Sequence, residues 1–236
     1  KIPDTAKDAD GAYYADYTGI MSVGWNADKY GDISSLDDLL DPKFAGTVAL
    51  NGKPAEAGAA FNGYLMANQL AGGDINNLQP GLDYFKKLKE AGNLTTVDVT
   101  NGTIDSGQTG VVFDWTYNQA SYKKELKDKG VNWKYKTFPK AQVVSYYNQA
   151  INKDAPHPAA ARLWEEYLYT ADAQNLWFKG GANPVLLDSM KEDGTVDQAT
   201  LKDAITIEGE PVSYTNDDST RITEWLQNNW DKTIGN

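Results

Sequence analysis

Strands and helices alternate along this 236-residue chain at a spacing that predicts an α/β fold with mostly parallel strand pairing. Three observations carry that expectation. Short β-branched and aromatic runs recur, helical stripes with capping signals separate them, and the chain is apolar enough to build a core. Apolar residues make up 41% of the sequence, with seven Trp, fourteen Tyr and six Phe, which excludes a disordered chain.

Residues 19–26 (GIMSVGWN) form the first strand signal. Residues 34–40 form a short helix signal, with Ser35 and Asp38 at capping-box spacing and Pro42 as the stop. Residues 46–50 (GTVAL) predict a short buried strand. Asn51, Gly52, Lys53 and Pro54 make a turn, and Pro54 suits the first position of a helix reaching about Leu70. Gly72 and Gly73 end it.

Leu82, Tyr84, Phe85 and Leu88 recur at helical spacing over residues 81–91, with Gly92 beyond. Strands are expected over residues 95–99 and 111–117. In the second, Val111, Phe113, Trp115 and Tyr117 share one face, and Val112, Asp114 and Thr116 the other. A charged helix follows over 120–129, then strands over 132–138 and 143–151. Residues 158–169 carry Leu163, Trp164, Tyr167 and Leu168 on one stripe of a helix. Residues 194–216 are polar and punctuated by Gly and Pro, a loop or a short helical excursion. Residues 221–230 close the chain as a helix with Ile222, Trp225 and Leu226.

The formal net charge is −11, a balance that disfavours nucleic-acid backbones and anionic lipid surfaces. There is no Cys and a single His, His157 between two prolines. Thiol nucleophiles, disulfides and Cys-ligated metals are therefore excluded, and a His-based triad has one place to look. No apolar run approaches the length of a membrane-spanning helix. No pair of carboxylates is singled out by spacing, so nothing points to catalysis, a cofactor or a resident metal.

Four segments, taken in order, resemble the extracellular solute-binding proteins of ABC importers, in the group that holds polyamine, iron and related small-solute binders. They are residues 36–50 (LDDLLDPKFAGTVAL), 80–88 (PGLDYFKKL), 115–117 (WTY) and 149–164 (QAINKDAPHPAAARLW). The resemblance implies a type II periplasmic-binding-protein fold: two α/β lobes joined by two crossing strands, with the solute held in the cleft. It implies an extracytoplasmic protein, free in the periplasm or lipid-anchored, that passes its solute to membrane permease subunits. In that frame residues 1–26 are the end of the first lobe and the first crossing strand. Residues 27–142 form the second lobe. Residues 143–236 carry the second crossing strand and return to the first lobe with the C-terminal helices. Relatives carry most of a lobe before the first crossing, so the first lobe is expected to be incomplete here.

The same resemblance nominates ligand residues. Trp115 matches a Trp that polyamine-binding relatives place at the end of the equivalent strand, where its face attracts an ammonium; the alternative is a core Trp beside Val111 and Phe113. Asp114 is its acidic neighbour. Tyr147 stands where polyamine binders use an acid, with Ser145 and Gln149 on its face. Hydroxyls and an amide suit an amine or amino-acid-like zwitterion better than a polycation. Apart from the resemblance, Lys53, in a turn before a helix start, suits an anionic group; the alternative is a solvated Lys in a plain turn. Tyr17 clusters with Tyr13 and Tyr14. Tyr117 with Asn118 gives half of the adjacent tyrosine pair of ferric-iron binders, the alternative ligand. The competing class is the effector-sensing domain of a transcription regulator with the same fold, which requires a helix-turn-helix that these residues lack.

Overall fold

The computed structural model describes residues 2–207 and 210–235. In chain order its elements are β1 (Tyr14–Asn26), α1 (Ala27–Tyr30), β2 (Val48–Leu50), α2 (Gly58–Leu70), α3 (Gln79–Glu90), α4 (Asn101–Asp105), β3 (Val111–Trp115), α5 (Thr116–Lys127), β4 (Trp133–Lys136) and β5 (Val144–Gln149). Then come α6 (Pro158–Leu168), α7 (Ala171–Lys179), β6 (Asn183–Pro184), α8 (Leu187–Glu192), α9 (Gln198–Asp203) and α10 (Asn216–Thr233).

The chain divides into two compact units. One comprises residues 1–19 and 145–206, the other residues 20–144 and 207–236. The chain therefore passes between units three times, and two of those passages run along β1 and β5. The third, near residue 206, lies in the stretch read from sequence as a loop or a short helical excursion, where the structure has α9.

The larger unit is built on β3. Parallel β2 pairs with it in the register Val48–Val111 and Leu50–Phe113, and antiparallel β1 pairs on the other side with Met21 opposite Trp115 and Trp25 opposite Val111. Strand β4 extends β1, again antiparallel. Mostly parallel pairing was the wrong expectation. Helices α2 and α3 give β2–β3 the crossover that parallel strands need, but β1 runs antiparallel to each neighbour whose register is defined.

The alternation along β3 was right. Val111, Phe113 and Trp115 join the main core, while Val112 packs with Ile104, Leu126 and Trp133 on the opposite face. The strand stops at Trp115, however, and Thr116 and Tyr117 already belong to α5. Residues 95–99 form no strand; the Leu94–Val48 bridge and a hydrogen bond from the Thr95 N–H to Val48 O at 2.8 Å join the start of the segment to the sheet.

Helix α2 is buried continuously from Ala60 to Asn68, so it lies within the core rather than on it. Asn68 anchors its end, donating to Asp74 O and Asn77 O and accepting from the Gly81 N–H. The sequence placed residues 143–236 in the first lobe. Helix α10 instead packs in the larger unit: Ile222, Leu226 and Trp230 enter its core, and the Trp230 ring lies edge-on 5.3 Å from Phe85. An apolar stripe on α10 finds the stripe that α3 leaves open.

The smaller unit has a slighter interior. Phe178, Leu187, Met190 and Val196 form one cluster, and Ala6, Ala15 and Val185 another. Strand β6 pairs antiparallel with β1, Tyr17 opposite Pro184. The stripe on α6 is largely uncovered: Leu168 is buried, but Leu163 is 74% and Trp164 62% exposed, and Leu176 of α7 joins them at 61%.

Candidate functional site

In the smaller unit, the first half of β1 brings Asp16 and Tyr17 to residues of β5 and α7. The Asp16 side chain is fully buried. Its Oδ1 accepts from Gln174 Nε2 at 2.8 Å and its Oδ2 from Gln149 Nε2 at 3.1 Å. Burial raises the carboxyl above its ordinary value, and these amide donors pull it back in part, with a weaker pull from the Trp177 N–H. That indole N–H is buried and makes no hydrogen bond of ordinary geometry.

The Tyr17 ring lies between two others, 4.9 Å from Tyr147 and 4.5 Å from Trp177 by ring centroids. Burial, with Tyr147 and the Asp16 charge nearby, raises its hydroxyl pKa. Tyr147 itself is 42% exposed. Ser145 is bound to the same strand through its carbonyl, which accepts from Thr18 Oγ1 at 2.7 Å.

In the larger unit, a second fully buried carboxylate, Asp114, ends β3. Four donors reach it: Asn51 Nδ2 at 2.8 Å, Asn118 Nδ2 at 2.9 Å, the Tyr122 hydroxyl at 2.9 Å and the Trp115 N–H at 2.8 Å. Burial again raises its pKa against those donors. Among the described residues neither Asp16 nor Asp114 forms an ion pair.

Trp115 is 3% exposed and lies in the main core, the position of its alternative reading. Tyr117 covers it, stacked at 6.2 Å and 16°. Lys53 is exposed. The helix start expected at Pro54 is not there: Lys53 O closes a single turn with Glu56 and Ala57, and α2 begins at Gly58. The dipole argument for an anion beside Lys53 loses its basis.

The sequence-nominated residues thus fall into two sets, each within one unit. Tyr17, Ser145, Tyr147 and Gln149 gather on β1 and β5 of the smaller unit. Lys53, Asp114, Trp115 and Tyr117 belong to the β2–α2 and β3–α5 corners of the larger one. Asp16, Gln174 and Trp177 were missed, since their partners lie far away in sequence and no local pattern marks them. Asn51 and Tyr122 were visible only as turn and helix residues, and Asn118 only as the residue beside Tyr117. A hollow of about 740 Å3 lined by Ser34, Asp37, Tyr84, Lys87 and Lys140 contains none of the nominated residues.

Comparisons with known proteins agree with this architecture. A family model described as bacterial extracellular solute-binding protein matches residues 1–204. No curated protein matches the chain. Among solved structures, AgtB from A. tumefaciens R10 in complex with agropinic acid superposes with a TM-score of 0.72 at 16% identity, covering 100% of this chain and 72% of that one. AfuA from Actinobacillus pleuropneumoniae, bound to fructose-6-phosphate, gives 0.70 at 20% identity over 99% of this chain and 72% of its own. The apo ferric ion-binding protein A of Pasteurella haemolytica gives 0.67 at 19% identity, covering 98% and 72%. All three are periplasmic-binding-protein structures in which the entire course of this chain finds a counterpart, and such identities speak for the fold alone. Together with the family match over most of its length, they establish that the chain belongs to the bacterial extracellular solute-binding proteins, extracytoplasmic solute-capturing components of ABC importers with a type II periplasmic-binding-protein fold.

Proposed function

We propose that the solute is a small polar molecule, an amine or an amino-acid-like zwitterion, and that capture involves no chemistry on it. The observation that carries this reading is the half-exposed Tyr147 ring, stacked on Tyr17 with Trp177 behind and Gln149 on the same strand. A flat aromatic face beside an amide binds a partly apolar, hydrogen-bonding body and attracts an ammonium. In the larger unit, considered by itself, Asn51 and Asn118 are two half-buried amides that give their NH2 groups to Asp114.

Ferric iron, the alternative raised by Tyr117, is the second reading, and neighbours described as ferric ion- and ferric iron-binding proteins support it. The residue after Tyr117 weighs against it. Asn118 stands where the second tyrosine of a pair is expected, and its amide is committed to Asp114.

Thermal unfolding of the chain against putrescine, spermidine, γ-aminobutyrate, amino acids, aminoethylphosphonate and ferric citrate tests both. A ligand at about a thousand times its Kd stabilises by about 4 kcal/mol. The expected result is a large shift with an amine or zwitterion, lost in Tyr147→Ala. A shift with ferric citrate alone reverses the order of the two readings.

A further inference from the structure

Several side-chain amides that serve the fold use both ends, although Asn93 and Asn101 donate from Nδ2 and leave Oδ1 buried without a partner. Gln174 donates to Asp16 and accepts from the Leu186 N–H. Gln119 donates to Val112 O and accepts from Trp133 Nε1. Asn62 donates to Gly58 O and accepts from the Tyr214 hydroxyl. Asn68 is engaged in the same way.

Three amides around the two buried carboxylates differ. Asn51 and Asn118 give their NH2 groups to Asp114, and Gln149 gives its NH2 to Asp16. Among the described residues, only that end of each is hydrogen-bonded. All three side chains are half-buried, so their other ends border solvent.

The orientation of these amides is not free. The Trp115 N–H is a backbone donor that cannot turn round, and it fixes Asp114 Oδ1 as an acceptor at 2.8 Å. In its ionised form the carboxylate only accepts, and each neighbour then presents hydrogen. An amide that turns its NH2 to the carboxylate turns its carbonyl oxygen away. Asp114 thereby holds two carbonyl oxygens outward.

We propose that Asp114 is a positioning residue that sets the carbonyl oxygens of Asn51 and Asn118 as acceptors for the solute, and that the solute groups meeting them are hydrogen-bond donors, hydroxyl or ammonium. This rests on the reading of this face as solute-binding. It narrows that reading, because it assigns no anionic head group to these amides. A carboxylate or phosphate oxygen placed against an outward carbonyl leaves both acceptors without hydrogen.

The experiment is isothermal titration of the full chain with two sets of probes. D-sorbitol, myo-inositol, putrescine and γ-aminobutyrate carry donors; inorganic phosphate and malonate are the anionic set. The expected result is binding of at least one member of the donor set, weakened about tenfold in Asn118→Leu and in Asn51→Leu, as one hydrogen bond requires. Asp114→Asn is the diagnostic variant. An amide at 114 accepts fewer hydrogens, so a neighbouring amide must reverse and show its NH2. Affinity for the donor probe then falls while malonate or phosphate gains, a change of preference that mere loosening of the fold does not produce. Circular dichroism melts confirm that each variant folds.

Binding of malonate or phosphate alone by the unaltered chain overturns the proposal, and so does a donor probe whose affinity is unchanged in both Leu variants. In either case solute capture survives. If no probe of either set binds the folded chain, the reading of this face as solute-binding falls, and the proposal with it.

Discussion

Gln174 Nε2 lies 2.8 Å from Asp16 Oδ1, although 158 residues separate the two in sequence. The other end of the same amide accepts from the Leu186 N–H at 3.2 Å. One side chain therefore neutralises the hydrogen-bonding need of a buried carboxylate on β1 and fixes the start of α8. Gln174→Ala leaves both unsatisfied, each a loss of about 1–3 kcal/mol. The urea midpoint of unfolding should fall clearly, and a midpoint within error of the parent's contradicts the network described here.

Gly24 is the tightest point of β1. A Cβ there sits 2.0 Å from Gln119 Oε1 and 2.8 Å from Trp133 Nε1, on top of the hydrogen bond between them. Gly24→Ala must break that bond or displace the strand. A cost of about 1–3 kcal/mol is expected from overpacking, read as a lowered Tm by calorimetry. Gly31→Ala lacks a steric neighbour, but its φ of 72° makes it a useful contrast of backbone strain without crowding.

Acid should weaken one turn in a defined direction. Asp38 accepts from Ser34 N, Ser34 Oγ and Ser35 N, and these bonds pull its carboxyl down to about 2. Its folded value lies below the unfolded one, so its contribution is complete above about pH 4 and disappears as pH falls toward 2. Asp38→Asn should lower Tm at pH 7, and the gap to the parent should close below pH 3. A gap that widens on acidification contradicts the assignment. Because the side chain is near the surface, solvent screening keeps the effect modest.

The stripe on α6 is expected to cost nothing when made polar. Leu163 and Trp164 are mostly exposed, so Leu163→Gln and Trp164→Gln should leave the unfolding free energy within about 0.5 kcal/mol of the parent. Light scattering at high protein concentration should fall in both, since exposed apolar area promotes association. A large loss of stability means that the stripe is packed in solution.

The sequence announced those parts of the fold that depend on neighbours in sequence. The alternation of Val111, Val112 and Phe113 sorted the two faces of β3 correctly, and the caps and glycines around α3 placed that helix to within two residues. Pro54 misled because a single turn closed on Lys53 O stands between it and α2. Residues 95–99 have strand composition, but the pairing with β2 ends at the Thr95 N–H. The destination of α10 was hidden because its stripe fits any open apolar surface, and only packing against Phe85 and Tyr64 decides which. At the candidate site, aromatic and amide residues on β5 were legible from composition and resemblance. The hydrogen bonding of the two carboxylates was not: Asp16 was passed over, and most of the donors to Asp114 come from other elements.

The threefold passage of the chain between units bears on how the protein is made. Residues 20–144 emerge from a ribosome as one stretch, but the larger core lacks Ile222, Leu226 and Trp230 until the last helix appears. The smaller unit waits as well, since Asp16 must be met by Gln149 and Gln174. Neither unit can finish folding before most of the chain has been synthesised, and such long-range closure slows folding. A secretion pathway that needs its cargo unfolded gains time from that delay.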